Sequence, residues 1–217
     1  MEHVTTPWTI VLVQTAFLIA FGPMVTGVIQ KIKARLQCRR GAGIIQPYRD
    51  LIKLFAKGTV QADTSSHFFR VVPALVLGAT CAAATLVPVI FAPITAGAAS
   101  SLPLGDAILL LGWLALARFL TATAALDAGG AFGGMGASRE MTIATLVEPA
   151  LILVIFSVAV VARTTDLGGI AGHPVALRAS FGASDLLAFF AMLILLIAET
   201  GRIPVDNPDT HLELTML

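Results

Sequence analysis

Five charged residues lie close together near the end of the chain, directly after a long apolar run. Leu186 to Ala198 is thirteen residues without a polar side chain. Three helix breakers follow it and prevent the helix from continuing. Irregular backbone at the mouth of a membrane segment is tolerated only where protein covers it or water reaches it. The charged residues are Glu199, Arg202, Asp206, Asp209 and Glu213, and the breakers are Gly201, Pro204 and Pro208.

The pattern of this segment predicts a site that carries protons or senses charge. We expect Glu199 and Asp206 to hold the loop in shape and to act as its acids, with Arg202 as the counter-ion. The other interpretation is that these acids are only solvated loop charges.

Two further charges, Arg118 and Glu148, interrupt apolar segments in the middle of the chain. Charged side chains in membrane helices are costly and usually face a bundle interior or water. Arg118 lies about 12 Å and Glu148 about 10 Å from the inner ends of their predicted spans, counted at the helical rise. A short connection joins the two spans, so we expect them to be antiparallel neighbours. The sequence therefore predicts that Glu148 is a buried functional acid paired with Arg118, although Arg118 could instead snorkel to the interface.

The composition places the chain among membrane proteins. Hydrophobic residues make up 57% of it and charged residues 12%, with a mean hydropathy of +0.88. Soluble domains carry about twice that share of charge. The two cysteines, Cys38 and Cys81, lie on different segments and form no CxxC motif. We therefore expect neither a disulfide framework nor a metal site in this chain.

The expected fold is all-α, a polytopic membrane helix bundle in a single domain covering residues 1–217. Apolar runs of about 20 residues are long enough to cross the hydrocarbon core. Five such spans are predicted, together with a short amphipathic helix in a loop. The spans cover residues 8–29, 71–92, 104–126, 141–161 and 183–198, the loop covers 30–70, and the terminal motif covers 199–217.

The loop over residues 30–70 carries nine of the fourteen lysines and arginines. By the positive-inside rule it is cytoplasmic, and the N-terminus lies outside. Within it, Tyr48, Leu51 and Phe55 share one face of a helix, while Arg49 and Lys53 lie on another. Such a helix contacts either a partner subunit or lipid phosphates at the membrane surface. Nucleic acid is not expected as a partner, because the aromatic residues are not interleaved with the basic ones.

A glycine-rich stretch over residues 127–140 is expected to return the chain to the cytoplasm as a flexible connector or docking surface. No strand precedes it and no GKS or GKT follows it, so a nucleotide-binding loop is disfavoured.

Four blocks of this sequence resemble, in order, the membrane family of respiratory complex I subunit 1. Within that family they are most similar to the branch of membrane-bound hydrogenases, which includes formate hydrogenlyase and hydrogenase-4. The blocks are ARLQCRRGAGIIQPYRDLIKLF from Ala34, GASREMT from Gly136, LVEPA from Leu146 and AETGRIPVDNPDTHLEL from Ala198.

The resemblance implies a non-catalytic subunit in the cytoplasmic membrane of a bacterium or archaeon, anchoring a redox arm and helping to couple electron flow to proton movement. Its implied partners are a nickel–iron large subunit, an iron–sulfur small subunit and antiporter-like membrane subunits, with no cofactor in this chain. Glu148 matches a helix linked to the charged path of the family. The residues expected at partner contacts are Arg35, Arg39, Arg40, Tyr48, Asp50, Arg139, Glu140, Asp209 and Glu213.

Two departures from the complex I pattern keep alternatives open. Quinone-reducing members typically read ETNRAPFDLPE where this chain reads ETGRIPVDNPD from Glu199. The chain also has fewer predicted spans than the family, as a fragment or a shortened member would. The alternatives are the quinone-chamber subunit of an NADH:quinone oxidoreductase, a stand-alone ion transporter and a purely structural anchor. Against the transporter, no internal repeat or pair of interrupted helices is evident.

The topology gives the first testable prediction. Cysteines introduced at positions 60 and 175 are expected to react with impermeant reagents from the inside and the outside of sealed vesicles, respectively. Labelling of position 60 from the outside would contradict the orientation.

Overall fold

The computed structural model describes residues 8–58, 65–89, 105–171 and 182–200 of the chain. This part of the chain is helical, as expected, and its long helices are apolar, so the chain is a multi-pass membrane protein of the all-α class. The helices form two units, α1 with α2 and α3 with α4 to α6. Their bounds are α1 Trp8–Leu36, α2 Gln46–Phe55, α3 His67–Leu86, α4 Ala107–Asp127, α5 Ala131–Ala162 and α6 Ala183–Glu199.

Four of these helices, and not five, are long and apolar enough to cross a membrane, namely α1, α3, α4 and α5. The fifth predicted span is present as α6, which has 17 residues. At the helical rise α6 is about 25 Å long, compared with a hydrocarbon core of about 30 Å. Among the described residues, the structure thus has four long candidate spans and one shorter apolar helix, α6, at the position of the fifth predicted span.

In the first unit, the segment after α1 runs back along that helix. Gly41 lies against the Cβ of Ala34, and the carbonyl of Ile44 lies directly over Gly27. Further along, the hydroxyl of Tyr48 donates a hydrogen bond to the carbonyl of Ala20. The predicted amphipathic helix is present as α2, and none of its residues is buried. Glycine at position 27 thus allows two backbones to meet where a side chain would separate them.

In the second unit, α4 packs against α3 on one side and α5 on the other, and α6 packs against α5. Most of the buried apolar side chains are alanines, while long side chains such as Leu153 and Val160 are exposed. Small residues at helix interfaces allow close backbone packing, which is typical of membrane helices. The buried set is Val72, Ala79, Ala83, Leu86, Ala107, Ala117, Ala122, Ala124, Ala137, Ala144, Val147 and Ala159.

The two ends of the α4–α5 pair are tied together. At one end, the backbone amide of Ala107 donates to the carbonyl of Thr165 at 2.9 Å, and the backbones of Asp106 and Asp166 form an isolated antiparallel β-bridge. Asp106 also caps α4 by accepting from the amide of Ile108. Side-chain caps of this kind satisfy amides that the helix leaves free. These contacts, with the short turn at the other end, fix the axial register of the two helices.

The glycine-rich stretch at that other end is mostly helical, which corrects the expected flexible connector. Gly129, with a φ of 69°, ends α4, and α5 begins at Ala131. Gly133 lies against the carbonyl of Ala125, where a Cβ would come within 2.6 Å of the oxygen. Each glycine costs a helix only about 1 kcal/mol, so packing against α4 overrides the low helix propensity. α5 therefore begins ten residues before the predicted span.

The α1–α2 contact yields a stability prediction with a matched control. Gly27→Ala is expected to push the Ile44 backbone away and to destabilise the unit by about 1–3 kcal/mol, the usual cost of overpacking. Gly22→Ala lies in the same helix but meets nothing within 4 Å. Hydrogen exchange over Gln46–Phe55 should accelerate in the first variant and stay unchanged in the second. Equal exchange in the two variants would show that the close approach is not needed.

Candidate functional site

Arg118 lies in α4 and is contacted by three glutamates from two other helices. Its Nη1 is 3.4 Å from Oε1 of Glu148, its Nε is 3.8 Å from Oε1 of Glu140, and its Nη2 pairs with Oε1 of Glu199. Each guanidinium nitrogen thus faces a different carboxylate. A guanidinium stays charged at any working pH, so it stabilises carboxylates placed around it. We call Arg118, Glu140, Glu148 and Glu199 the Arg118 cluster.

The helix register explains why these residues meet. Arg118 lies nine residues before the end of α4, and Glu140 lies nine residues after the start of α5. In an antiparallel pair joined by a short turn, such positions lie opposite each other. Glu148 is about 12 Å further along α5 at the helical rise, within reach of the long arginine side chain. Glu199 is the last residue of α6, so the close packing of α6 on α5 places its carboxylate at the same guanidinium.

Exposure differs between the members of the Arg118 cluster. The Arg118 side chain is 15% exposed, while those of Glu199, Glu148 and Glu140 are 33%, 38% and 56% exposed. The cation is therefore largely enclosed and the acids surround it in order of increasing exposure. Glu148, predicted to be buried, is half-buried. Among the described residues, three carboxylates thus share one guanidinium.

A cleft of about 340 Å³ lies between α4 and α5 beside the Arg118 cluster. Leu116 and Phe119 of α4 and Met141 and Thr145 of α5 form much of its wall, and Arg118 and Glu148 supply its charged end. The hydroxyl of Thr145 donates to the carbonyl of Met141 at 2.7 Å. The cleft is therefore apolar along its walls and acidic at one end.

The structure brings together residues that were expected to act separately. The predicted proximity of Arg118 and Glu148 is confirmed, at 3.4 Å. Glu140 was expected at a partner contact and Glu199 was expected to pair with Arg202, yet both contact Arg118. Glu140 could have been placed opposite Arg118 by counting residues from the turn between α4 and α5. That count requires knowing that α5 begins at Ala131. Arg202, Asp206, Asp209 and Glu213 lie outside the described residues.

The remaining predicted docking residues are spread over the two units. Arg35, Arg39 and Arg40 are exposed around the end of α1, and Oδ1 of Asp50 accepts a hydrogen bond from the side-chain Nε2 of Gln46 at 2.9 Å. Tyr48 is half-buried and bonded to α1, so its hydroxyl has a partner within the unit. Arg139 is half-buried in α5. Among the described residues, no group of three histidine, cysteine, aspartate or glutamate side chains has the geometry to hold a metal ion.

Comparison with known proteins identifies the family. The family model described as NADH dehydrogenase matches residues 8–216. The chain belongs to the NADH dehydrogenase family. Formate hydrogenlyase subunit 4 of Escherichia coli K12 is 38% identical over 94% of the chain and 64% of that protein, and hydrogenase-4 component C of the same organism is 36% identical over 94% of the chain and 62% of that protein. The resemblance recognised in the sequence is thus confirmed.

A chain in the solved structure of a membrane complex has the same fold as this protein. It comes from the membrane-bound sulfane sulfur reductase, an archaeal respiratory membrane complex, and is 26% identical with a TM-score of 0.68. The match covers 88% of this chain and 62% of that one. The chain thus spans less than two thirds of the length of each of these three proteins.

The Arg118 cluster leads to a prediction about charge balance. Arg118→Ala leaves three carboxylates without their cation, and we expect it to destabilise the bundle by about 1–3 kcal/mol, less than a fully buried pair because the acids are partly exposed. Adding Glu148→Gln should recover part of that loss, since it removes one stranded charge. Apparent melting temperature and the monodisperse fraction after purification measure both effects.

Arg163→Ala is the matched control for that series, because Arg163 is exposed and lies at the far end of α5. It should leave both measurements unchanged. If Arg118→Ala and Glu148→Gln combine additively, the two residues do not depend on each other.

Proposed function

We propose that this chain is a non-catalytic membrane subunit of a membrane-bound hydrogenase of the formate hydrogenlyase or hydrogenase-4 type. Its 38% identity to formate hydrogenlyase subunit 4 over 94% of the chain supports this assignment. In the proposed complex, a large subunit holds a nickel–iron centre and a small subunit holds iron–sulfur clusters. Antiporter-like subunits lie beside the chain in the cytoplasmic membrane of a bacterium or archaeon, and the N-terminus of the chain lies outside.

The Arg118 cluster is the single observation that supports a coupling role for the chain. Glu199 is the last residue of α6 and the first charge of the terminal motif, while Glu148 lies within α5. Both contact the same guanidinium. Unit charges 4 Å apart interact by about 4 kcal/mol at an effective dielectric constant of 20. Protonation or displacement of Glu199 would therefore change how strongly Arg118 holds Glu148.

In this proposal, electron transfer in the redox arm moves or neutralises groups of the terminal motif, and Glu199 passes that change to Glu148 through Arg118. Asp206 and Arg202 act with Glu199 in the motif, as acid and additional counter-ion. Glu140 is the most exposed member of the Arg118 cluster and lies on its water-facing side. No redox cofactor resides in this chain, whose part is to position and move charge.

Anchoring of the redox arm is assigned to the basic end of α1 and to the terminal motif. Arg35, Arg39 and Arg40 are exposed, and the motif supplies the opposite charge through Asp209 and Glu213. Leu51 and Phe55 of α2 are 41% and 85% exposed and supply an apolar contact. Interfaces commonly combine an apolar anchor with a charged rim in this way.

A second candidate is the quinone-chamber subunit of an NADH:quinone oxidoreductase, favoured by the description of the matched family. The two candidates differ in their partners and in their electron acceptor. Purification of the intact complex decides between them: a nickel–iron large subunit and hydrogen formation support the first, and quinone reduction without a nickel–iron subunit supports the second.

The coupling role is tested by Glu199→Gln, which keeps the side-chain volume and removes the charge. In sealed vesicles containing the intact complex, the number of protons moved per hydrogen formed should fall towards zero, because the variant lacks the charge that the proposed coupling requires. Asp106→Asn is the control, because asparagine also caps helices and position 106 caps α4 away from the Arg118 cluster. An unchanged ratio in Glu199→Gln would indicate that the acids of the motif are only solvated loop charges.

The anchoring role is tested by reversing charge at Arg39 and Arg40 together. The double change to glutamate should release the redox arm from the membrane fraction, and more readily at high salt, because exposed charges are screened within about 8 Å at physiological ionic strength. Arg163→Glu is the control for an exposed charge reversal elsewhere on the chain. A complex that stays fully assembled after the double change would refute this surface assignment.

A further inference from the structure

The cleft between α4 and α5 has apolar walls and a charged end, and no single small ligand complements both. Its walls include Leu116 and Phe119, which are 42% and 53% exposed. Its charged end contains Arg118 and Glu148 of the Arg118 cluster, in which three carboxylates share one guanidinium. The Thr145 hydroxyl in its wall already donates to a backbone carbonyl. Among the described residues, Glu148 shares Arg118 with Glu140 and Glu199, so its carboxylate is the group of the cleft that a further cation would neutralise.

We propose that a transmembrane helix of a partner subunit packs into this cleft and places a lysine, arginine or histidine against Glu148. A lipid chain would cover the apolar walls but bring no cation to the acids, and a lipid phosphate would bring a further negative charge. A small cation would balance the charge but leave the apolar walls uncovered. A membrane helix with one basic side chain does both, since apolar residues pack along the cleft and a long cationic side chain reaches its end.

The partner is defined by this chemistry: an apolar helix with a basic residue near the level of Glu148. Complementary charge at an interface selects the right partner and its register, because a neutral or acidic helix would bring no cation to the half-buried carboxylate of Glu148. The inference rests on the proposed role of the chain as a subunit of a membrane complex. It adds a specific contact for Glu148 outside the chain itself.

Photo-crosslinking in the intact complex tests the contact. The full chain is produced in its native membrane with p-benzoylphenylalanine at position 119, and crosslinked peptides are identified by mass spectrometry. Phe190 of α6 is the matched control, since it is also a phenylalanine and is 58% exposed, and it does not line the cleft. We expect a crosslink from position 119 to a membrane-spanning segment of another subunit that contains a basic residue.

The charge requirement is tested in the same complexes. Glu148→Gln should lower the crosslink yield at position 119 about tenfold, as expected for loss of a charge partner at an interface, and leave the yield at position 190 unchanged. Neutralising the basic residue of the crosslinked segment should cause no further loss in the Glu148→Gln background. This non-additivity separates a direct pair from two independent defects.

Several outcomes would overturn the proposal. They are crosslinks to lipid only, to this chain itself or to a segment without a basic residue, and a yield that does not depend on Glu148. If these occur while the hydrogenase subunits still copurify and protons still move, the proposed function stands and only the helix contact is lost. If no hydrogenase subunit copurifies, the proposed function fails first.

Discussion

The enclosed guanidinium of Arg118 is the constraint on which the second unit of this protein depends. Arginine keeps its charge in a membrane helix, so an apolar bundle can contain it only if carboxylates or water reach it. Here three helices supply the groups: α4 the cation, α5 two acids and α6 the third. The mutual positions of these helices follow from that requirement as well as from apolar packing, which in lipid has little hydrophobic driving force.

The packing around the Arg118 cluster makes this arrangement possible. Alanines predominate at the buried positions, so the helix backbones approach closely and polar side chains can bridge them. The glycine turn at one end and the Asp106–Asp166 bridge at the other hold α4 and α5 in register. A shift of one residue along α5 would move its acids by about 1.5 Å and rotate them by about 100°. Ties at both ends therefore protect the polar contact in the middle.

The first unit is held together differently, by close contact between main-chain segments. Gly27 admits the Ile44 carbonyl, and Tyr48 bonds to a carbonyl of α1. The exposed basic and apolar residues of α2 are left free for other contacts. Each unit thus has its own distinctive feature, an exposed basic and apolar surface in the first and the Arg118 cluster in the second. Membership of the NADH dehydrogenase family accounts for the common fold.

The sequence by itself determined the membrane class, the apolar helices and the family. Long apolar runs and the order of four motif blocks are local properties, so they can be read without the fold. It also predicted the Arg118–Glu148 pair, because depth along two antiparallel helices follows from residue counts. The start of α5 could not be predicted from the sequence. Glycines locally favour a loop, and the packing of Gly133 against the carbonyl of Ala125 is a contact with another helix. Only the tertiary structure brought Glu140 and Glu199 to Arg118, because the register of α5 and the approach of α6 are set by contacts between residues far apart in the chain.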